Sequence, residues 1–232
     1  MKKRLYQCAA AIALIAIMGY AAFACAGYGA SREAAAMMPG EKAGGAAVFM
    51  PEEIRAGLIF YPGGLVDHAA YAPLMQALRD RGILCLLVEM PLDLAVLDAD
   101  AAKGLQALYP DVDMWMIGGH SLGGAMAAVY AAEHPQEFDA LILLGAYAAE
   151  DLSGTEMTVL SVVGTEDGVL NREKYAQSMR NYPEQFVEVV LEGGCHAYFG
   201  DYGEQKGDGK ATISREEQMR KTADAIEYMM NL

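Results

Sequence analysis

One stretch, Ile117-Gly118-Gly119-His120-Ser121-Leu122-Gly123-Gly124, constrains the fold of this chain more than any other. Before it, Met114-Trp115-Met116-Ile117 is a short apolar run that reads as a buried strand. After it, Ala125 to Ala132 is a run of small apolar residues that reads as a buried helix. A strand that turns at once into a helix holds the residue at the turn in a strained backbone conformation, and side chains two residues to either side collide there. Gly119 and Gly123 remove that collision. Ser121 is left at the carboxyl edge of a sheet, at the start of a helix whose free N–H groups favour negative charge. The G-x-S-x-G spacing makes Ser121 a candidate nucleophile and requires a base, an acid and a second N–H donor from elsewhere in the chain.

Length and charge set the frame for that search. The chain has 232 residues, enough for one domain with a sizeable core. Its formal charge of −14 argues against nucleic acid or an anionic membrane surface as the main partner. The first residues look like a targeting segment. Met1-Lys2-Lys3-Arg4 is basic, and no charge follows from Leu5 to Ser31. Ala22-Phe23-Ala24 and Ala24-Cys25-Ala26 fit the small-x-small cleavage pattern of a signal peptide. The same run is long enough to span a bilayer as an uncleaved anchor, and Cys25 offers lipid attachment as a third reading. Each reading exports the body, so residues 1–31 are expected to be a signal peptide or membrane anchor, residues 32–45 a linker, and residues 46–232 the folded domain, secreted or membrane-anchored. Cys85 lies in an apolar run and reads as a core thiol. With no C-x-x-C or H-E-x-x-H spacing, no metal or cofactor is expected.

Apolar runs and turn residues alternate along the body. Strands are expected at Ala46 to Met50, Ala56 to Tyr61, Ile83 to Val88, Ala140 to Leu144, Thr158 to Val163 and Phe186 to Leu191. Helices are expected at His68 to Arg81, Leu94 to Leu108, Asn171 to Tyr182 and Ser214 to Met230, the last opened by a Ser214/Glu217 capping box. Strands alternating with helices predict an α/β fold, a doubly wound and mostly parallel sheet with helices on both faces.

Ligands bind such sheets beyond the carboxyl ends of the strands. Past the strand ending at Val163 comes Gly164-Thr165-Glu166-Asp167-Gly168, and past the strand ending at Leu191 comes Glu192-Gly193-Gly194-Cys195-His196. His196 is the candidate base and Asp167 the candidate acid, with Glu166 as competitor; Gly168 after Asp167 favours the former. Ser121 needs its proton removed, His196 is suited to take it, and Asp167 to hold the imidazole in the useful tautomer. The N–H of Leu122 is one oxyanion donor; Gly64, in the turn Pro62-Gly63-Gly64, supplies the other, with Leu65 as second choice. Leu65, Glu89, His120, Tyr147, Tyr198 and Phe199 flank strand ends and are candidate pocket residues, each weighed against simple packing. Cys195, adjacent in sequence to the base, reads as a supporting loop residue and not as a second nucleophile.

Together these segments resemble a known family. Tyr61-Pro62-Gly63-Gly64, Gly119-His120-Ser121-Leu122-Gly123-Gly124, Asp167-Gly168-Val169-Leu170 and Gly193-Gly194-Cys195-His196-Ala197-Tyr198-Phe199-Gly200 look like the small bacterial α/β-hydrolases related to the dienelactone hydrolase group. The run Asp201 to Gly209 and then Ile213-Ser214 is similar to that family's segment after the His. The resemblance covers about Ala56 to Leu232 and implies an α/β-hydrolase fold, a Ser-Asp-His chain order and a serine hydrolase with an N-terminal membrane segment. One departure is Cys195, where the family commonly has Asn. Only 13 residues separate Leu144 from Thr158, leaving minimal or no lid. The expected function is hydrolysis of a small-molecule carboxylic ester through an acyl-Ser121 intermediate, with activity rising with pH as His196 loses its proton. Acyl transfer to an envelope sugar or lipid, and a non-catalytic binding module, are the alternatives.

Overall fold

The computed structural model describes residues 27–231; the expected leader cleavage sites and the greater part of the apolar N-terminal run lie outside the described residues. The frame is an eight-stranded sheet: β1 (Lys42–Ala43), β2 (Ala46–Phe49), β3 (Ala56–Tyr61), β4 (Ile83–Val88), β5 (Trp115–His120), β6 (Ala140–Leu144), β7 (Thr158–Gly164) and β8 (Phe186–Leu191). Their spatial order is β1-β2-β4-β3-β5-β6-β7-β8. The pairs β1/β2 and β2/β4 are antiparallel, and all the others are parallel. β3, β4, β5 and β6 are buried along their whole length, which is why they read as unbroken apolar runs and not as alternating ones.

Alternate side chains of these strands feed two cores. On one face Leu58, Phe60, Cys85 and Leu87 pack against α2 (Ala72–Arg79) and α5 (Arg215–Met229), through Leu74, Met75, Leu78, Met219 and Ile226. On the other, Ile59, Leu84, Leu86 and Ile117 pack against α3 (Leu122–Glu133), through Ala127, Ala128 and Ala131. The remaining helices are α1 (Arg32–Ala36) and α4 (Arg172–Ser178).

Three expectations need correcting. Residues 32–45, expected to be a linker, are docked on the body. Ser31 caps α1 by accepting from Ala34 N–H at 3.0 Å, its hydroxyl donates to the Asp201 carboxylate at 2.6 Å, Ala34 is fully buried, and β1 joins the sheet. The helix expected from His68 begins as a 3-10 turn, His68–Tyr71, before α2. Pro73 explains this, because it lacks the N–H that an α-helix would direct at the Ala69 carbonyl. The helix expected over Leu94 to Leu108 does not form; short 3-10 turns at Pro91–Asp93, Ala95–Leu97 and Gln106–Leu108 replace it. Here the buried Tyr61 hydroxyl takes the backbone groups a helix would use. It accepts from Ala102 N–H and donates to the Ala99 carbonyl, each at 2.8 Å. Gly104, at φ +78°, turns the chain again.

The closing helix α5 starts as expected, with Ser214 Oγ accepting from Glu217 N–H at 3.2 Å. The Glu217 carboxylate pairs with Lys221 at 2.9 Å, so the capping contact runs one way.

Candidate active site

Ser121 sits between β5 and α3 with φ 53° and ψ −122°. No L side chain adopts this conformation cheaply, and about 1–3 kcal/mol of strain is held here by the packing around it. The packing is glycine-dependent, as the spacing required. A Cβ on Gly119 would lie 2.6 Å from the Gly123 carbonyl carbon, and one on Gly123 would strike the carbonyls of Tyr61 and Pro62. The Ser121 N–H is fixed by the Leu144 carbonyl at 2.9 Å, so the elbow is anchored to the end of β6.

His196 and Asp167 come from the ends of β8 and β7. His196 Nδ1 and Asp167 Oδ2 are 2.8 Å apart, in a pair almost wholly shielded from solvent. Asp167 Oδ1 accepts from Val169 N–H at 2.9 Å and Leu170 N–H at 2.8 Å. Burial raises the Asp167 proton affinity, but the hydrogen bond and charge of His196, with those two N–H groups, outweigh it and hold the carboxyl below its ordinary value. An ionised Asp167 only accepts, so His196 donates from Nδ1, the arrangement in which a neutral ring carries its lone pair on Nε2. That Nε2 is buried and has no hydrogen-bond partner. Glu166 instead takes the Thr165 hydroxyl at 3.1 Å.

Ser121 and His196 line one cavity of about 430 Å³. Its other walls are Leu122, Ala125, Gly145 and Ala146 from the elbow and the end of β6, Tyr147 and Ala149 beyond them, and Val169, Leu170 and Asn171 after Asp167. No charged side chain of Lys, Arg, Asp or Glu lines it. The Gly145–Met157 connection beside it contains no helix, so it supplies no helical cap over the mouth. Among the described residues no three His, Cys, Asp or Glu side chains gather as a metal ligand set.

The structure brings Ser121, Leu122, Tyr147 and His196 to this cavity, with Asp167 directly behind His196. Gly64 abuts Leu122, since a Cβ there would stand 2.8 Å from Leu122 Cδ2. Leu65 is different: at φ 59° its N–H donates to the Asp93 carbonyl at 2.7 Å and is not available to an oxyanion. Leu65 and four further expected pocket residues lie outside that cavity lining. Glu89 is held by Lys42 at 2.9 Å on the surface. Tyr198 lies under the Arg215 guanidinium, 4.8 Å from ring centroid to carbon, and faces a separate cleft with Cys195 and Asp208. Phe199 is fully buried, its ring 5.5 Å from that of His120. His120 is buried behind the elbow, its ring 4.4 Å from that of His196. Each stands at or after a strand end in sequence, but its own contacts hold its side chain away from the cavity.

Several supporting residues carry no sequence motif. The Tyr71 hydroxyl accepts from Gly63 N–H at 2.9 Å and lies 2.8 Å from His120 Nδ1, tying the Gly63-Gly64 turn to the elbow. Burial, aided by the neighbouring His196, holds the His120 pKa well below its ordinary value, so its ring is neutral. Asp208 Oδ1 accepts from Gly168 N–H and His196 N–H, each at 3.1 Å, and Oδ2 from Ala197 N–H at 2.8 Å. Gln218, fully buried on α5, accepts from Cys195 N–H at 3.0 Å and donates to its carbonyl at 2.7 Å. Cys195 is thereby held by its backbone, and burial pushes its thiol up to about 12. Gly145, at φ +52°, lies against the pair: a Cβ would be 3.0 Å from His196 Nδ1 and 3.1 Å from Asp167 Oδ2.

Comparison with known proteins then decides the family. The model of the "Alpha/beta hydrolase family" matches residues 57–220, most of the chain and all of the site. The chain belongs to the alpha/beta hydrolase family. Its fold is similar to that of solved esterase structures. The esterase domain of a Rhodothermus marinus protein aligns with a TM-score of 0.57 at 16% identity, over 79% of this chain and 90% of that one. Est1E from Butyrivibrio proteoclasticus aligns at 0.59 and 16%, over 81% and 94% of the two chains. The same Est1E with ferulic acid bound gives 0.60 and 15%, over 81% and 95%. At such identities the likeness establishes the fold. A search among curated proteins gives no match.

Proposed function

We propose that this hydrolase cleaves a carboxylic ester through an acyl-Ser121 intermediate. The observation that carries the reading is the shielded Asp167–His196 hydrogen bond, which leaves an unpartnered His196 Nε2 beside the cavity that Ser121 lines. In the reaction, His196 Nε2 takes the Ser121 proton as Oγ adds to the ester carbonyl, and then passes it to the departing alkoxide. Asp167 keeps Nδ1–H oriented and stabilises the imidazolium. The negative oxygen of the tetrahedral intermediate is received by the N–H of Leu122, at the start of α3, and by that of Gly64. Water activated by His196 then releases the acid and restores Ser121.

The uncharged walls suit a small neutral acyl or alcohol group lodged between Leu122, Tyr147, Val169 and Leu170, and a Gly145–Met157 connection without a helix suits an open site. The esterase named among the structural neighbours, and the aromatic acid bound in another, support the same chemistry. The test is hydrolysis of p-nitrophenyl acetate and butyrate by wild type, Ser121→Ala and His196→Ala. Each substitution is expected to lower kcat about 1,000-fold or more. Activity within a few-fold of wild type in Ser121→Ala overturns the reading.

A further inference from the structure

The turn that carries Gly64 does not hold its own shape. Gly63 to Val66 is a four-residue turn closed by the bond from Val66 N–H to the Gly63 carbonyl at 3.2 Å. Leu65 stands third in it at φ 59°, a position where a turn of this kind ordinarily takes Gly or Asn. A leucine keeps such a backbone only where its surroundings enforce it. The shape matters because it aims a donor. In a trans peptide, as this one is, the carbonyl and the N–H point in opposite directions. The bond from Val66 to the Gly63 carbonyl therefore turns the Gly64 N–H the other way, and that N–H meets no acceptor among the described residues.

The enforcement comes from the chain before α1. Tyr28 forms a parallel bridge with Val66: its N–H donates to the Leu65 carbonyl at 2.7 Å, and its carbonyl accepts from Asp67 N–H at 2.9 Å. Tyr28 is thus bonded to both neighbours of Val66 and leaves Val66's own N–H to Gly63. The Leu65 N–H is fixed separately by the Asp93 carbonyl at 2.7 Å. The same segment is fastened at its other side to the residues that follow His196. The Tyr28 ring stands 5.5 Å from that of Tyr202, and its hydroxyl accepts from Lys206 N–H at 3.2 Å. Ser31 donates to Asp201 twice, from its N–H to the carbonyl at 2.8 Å and from its hydroxyl to the carboxylate at 2.6 Å. Residues 28–31 therefore strap the Gly64 turn to the segment beyond His196.

We propose that Tyr28 is a positioning residue for the oxyanion donor: the strap of residues 28–31 holds the Gly63–Val66 turn in the shape that presents Gly64 N–H to the substrate oxygen. The inference deepens the ester-hydrolase reading above and rests on it.

The experiment uses the full chain with Tyr28→Pro, which removes the N–H that fixes the Leu65 carbonyl. Hydrolysis of p-nitrophenyl butyrate and inhibition by trifluoroacetophenone are measured, with active sites counted by exhaustive fluorophosphonate labelling. On the ketone, Ser121 Oγ adds to the carbonyl carbon, its proton passes to His196 Nε2, and the carbonyl π pair moves to the oxygen. The adduct thus carries the oxyanion that the donors receive. For Tyr28→Pro, kcat per active site is expected to fall about 10–100-fold with KM nearly unchanged, and the Ki of the ketone to rise by the same factor. A merely structural role would reduce the number of active sites and leave kcat per site and Ki at their wild-type values; that result overturns the proposal. A loss confined to KM overturns it as well. If Tyr28→Pro does not fold, the double variant Tyr28→Phe with Ser31→Ala releases the side-chain anchors of the strap at Lys206 and Asp201. It is expected to show the same paired change in kcat and Ki at about three-fold, and wild-type values there overturn the proposal. A wild-type protein that neither cleaves the ester nor binds the ketone overturns the ester-hydrolase reading, and this inference with it.

Discussion

Asp208 holds three backbone N–H groups from two loops, one beside Asp167 and two at His196 and Ala197. Its role is positional, because its carboxylate binds these main-chain groups and lines a cleft separate from the Ser121 cavity. Asp208→Ala strands these donors, at about 1–3 kcal/mol for each that water cannot reach. Steady-state kinetics of this variant are expected to show kcat lowered about 10–100-fold with KM nearly unchanged; a loss confined to KM would place Asp208 in substrate binding instead. His120 makes a separate prediction. Its folded pKa lies well below 6.5 while the unfolded chain returns it to that value, so the unfolded state binds the extra proton. Its stabilising effect is complete above pH 6.5 and declines as pH falls below it, by up to about 1.4 kcal/mol per pH unit. Asp167, whose folded pKa is depressed below 3.8, keeps its stabilising contribution across this range and loses it only as pH falls below that value. Urea midpoints measured between about pH 6.5 and 4.5 should therefore fall more steeply for wild type than for His120→Gln. Parallel slopes would mean that His120 is protonated in the fold.

At the scale of elements, the loop between β4 and β5 owes its shape to one phenol. Tyr61→Phe leaves Ala102 N–H and the Ala99 carbonyl without their partner, and is expected to lower stability by about 1–3 kcal/mol in urea unfolding. A change below a few tenths would show that the loop holds itself. The same contact explains why this segment misleads a reader of the sequence. Ala95, Ala102 and Leu105 are all buried, at spacings that suit one helix face, yet a strand residue about 40 positions earlier captures the helix's hydrogen bonds. Central strands are legible because burial on both faces leaves continuous apolar runs, and the elbow because its glycines face backbone within 3 Å. Pairing of Asp167 with His196 follows from each standing just past its own strand. Tyr71, Gly145, Asp208 and Gln218 are not legible, since each acts across the fold through contacts that no local pattern records. Glu89, Tyr198 and Phe199 show the reverse error: a position after a strand end does not fix the direction in which a side chain turns.

For the whole molecule, the parallel sheet is the device that converges three distant residues. β5, β7 and β8 end at one edge, and apolar layers on both faces keep those ends in register while the turns beyond them carry Ser121, Asp167 and His196. The docked N-terminal segment closes the same edge through Tyr28 and Ser31, which is why it belongs to the body and not to a tether. The central claim is that these parts form a working nucleophile. Its most direct measurement is labelling of the full chain with a fluorophosphonate, followed by peptide mass mapping. The account predicts a single label on Ser121, lost in His196→Ala although that variant remains folded by circular dichroism. A folded wild-type protein that takes no label, or takes it at another residue, would contradict it.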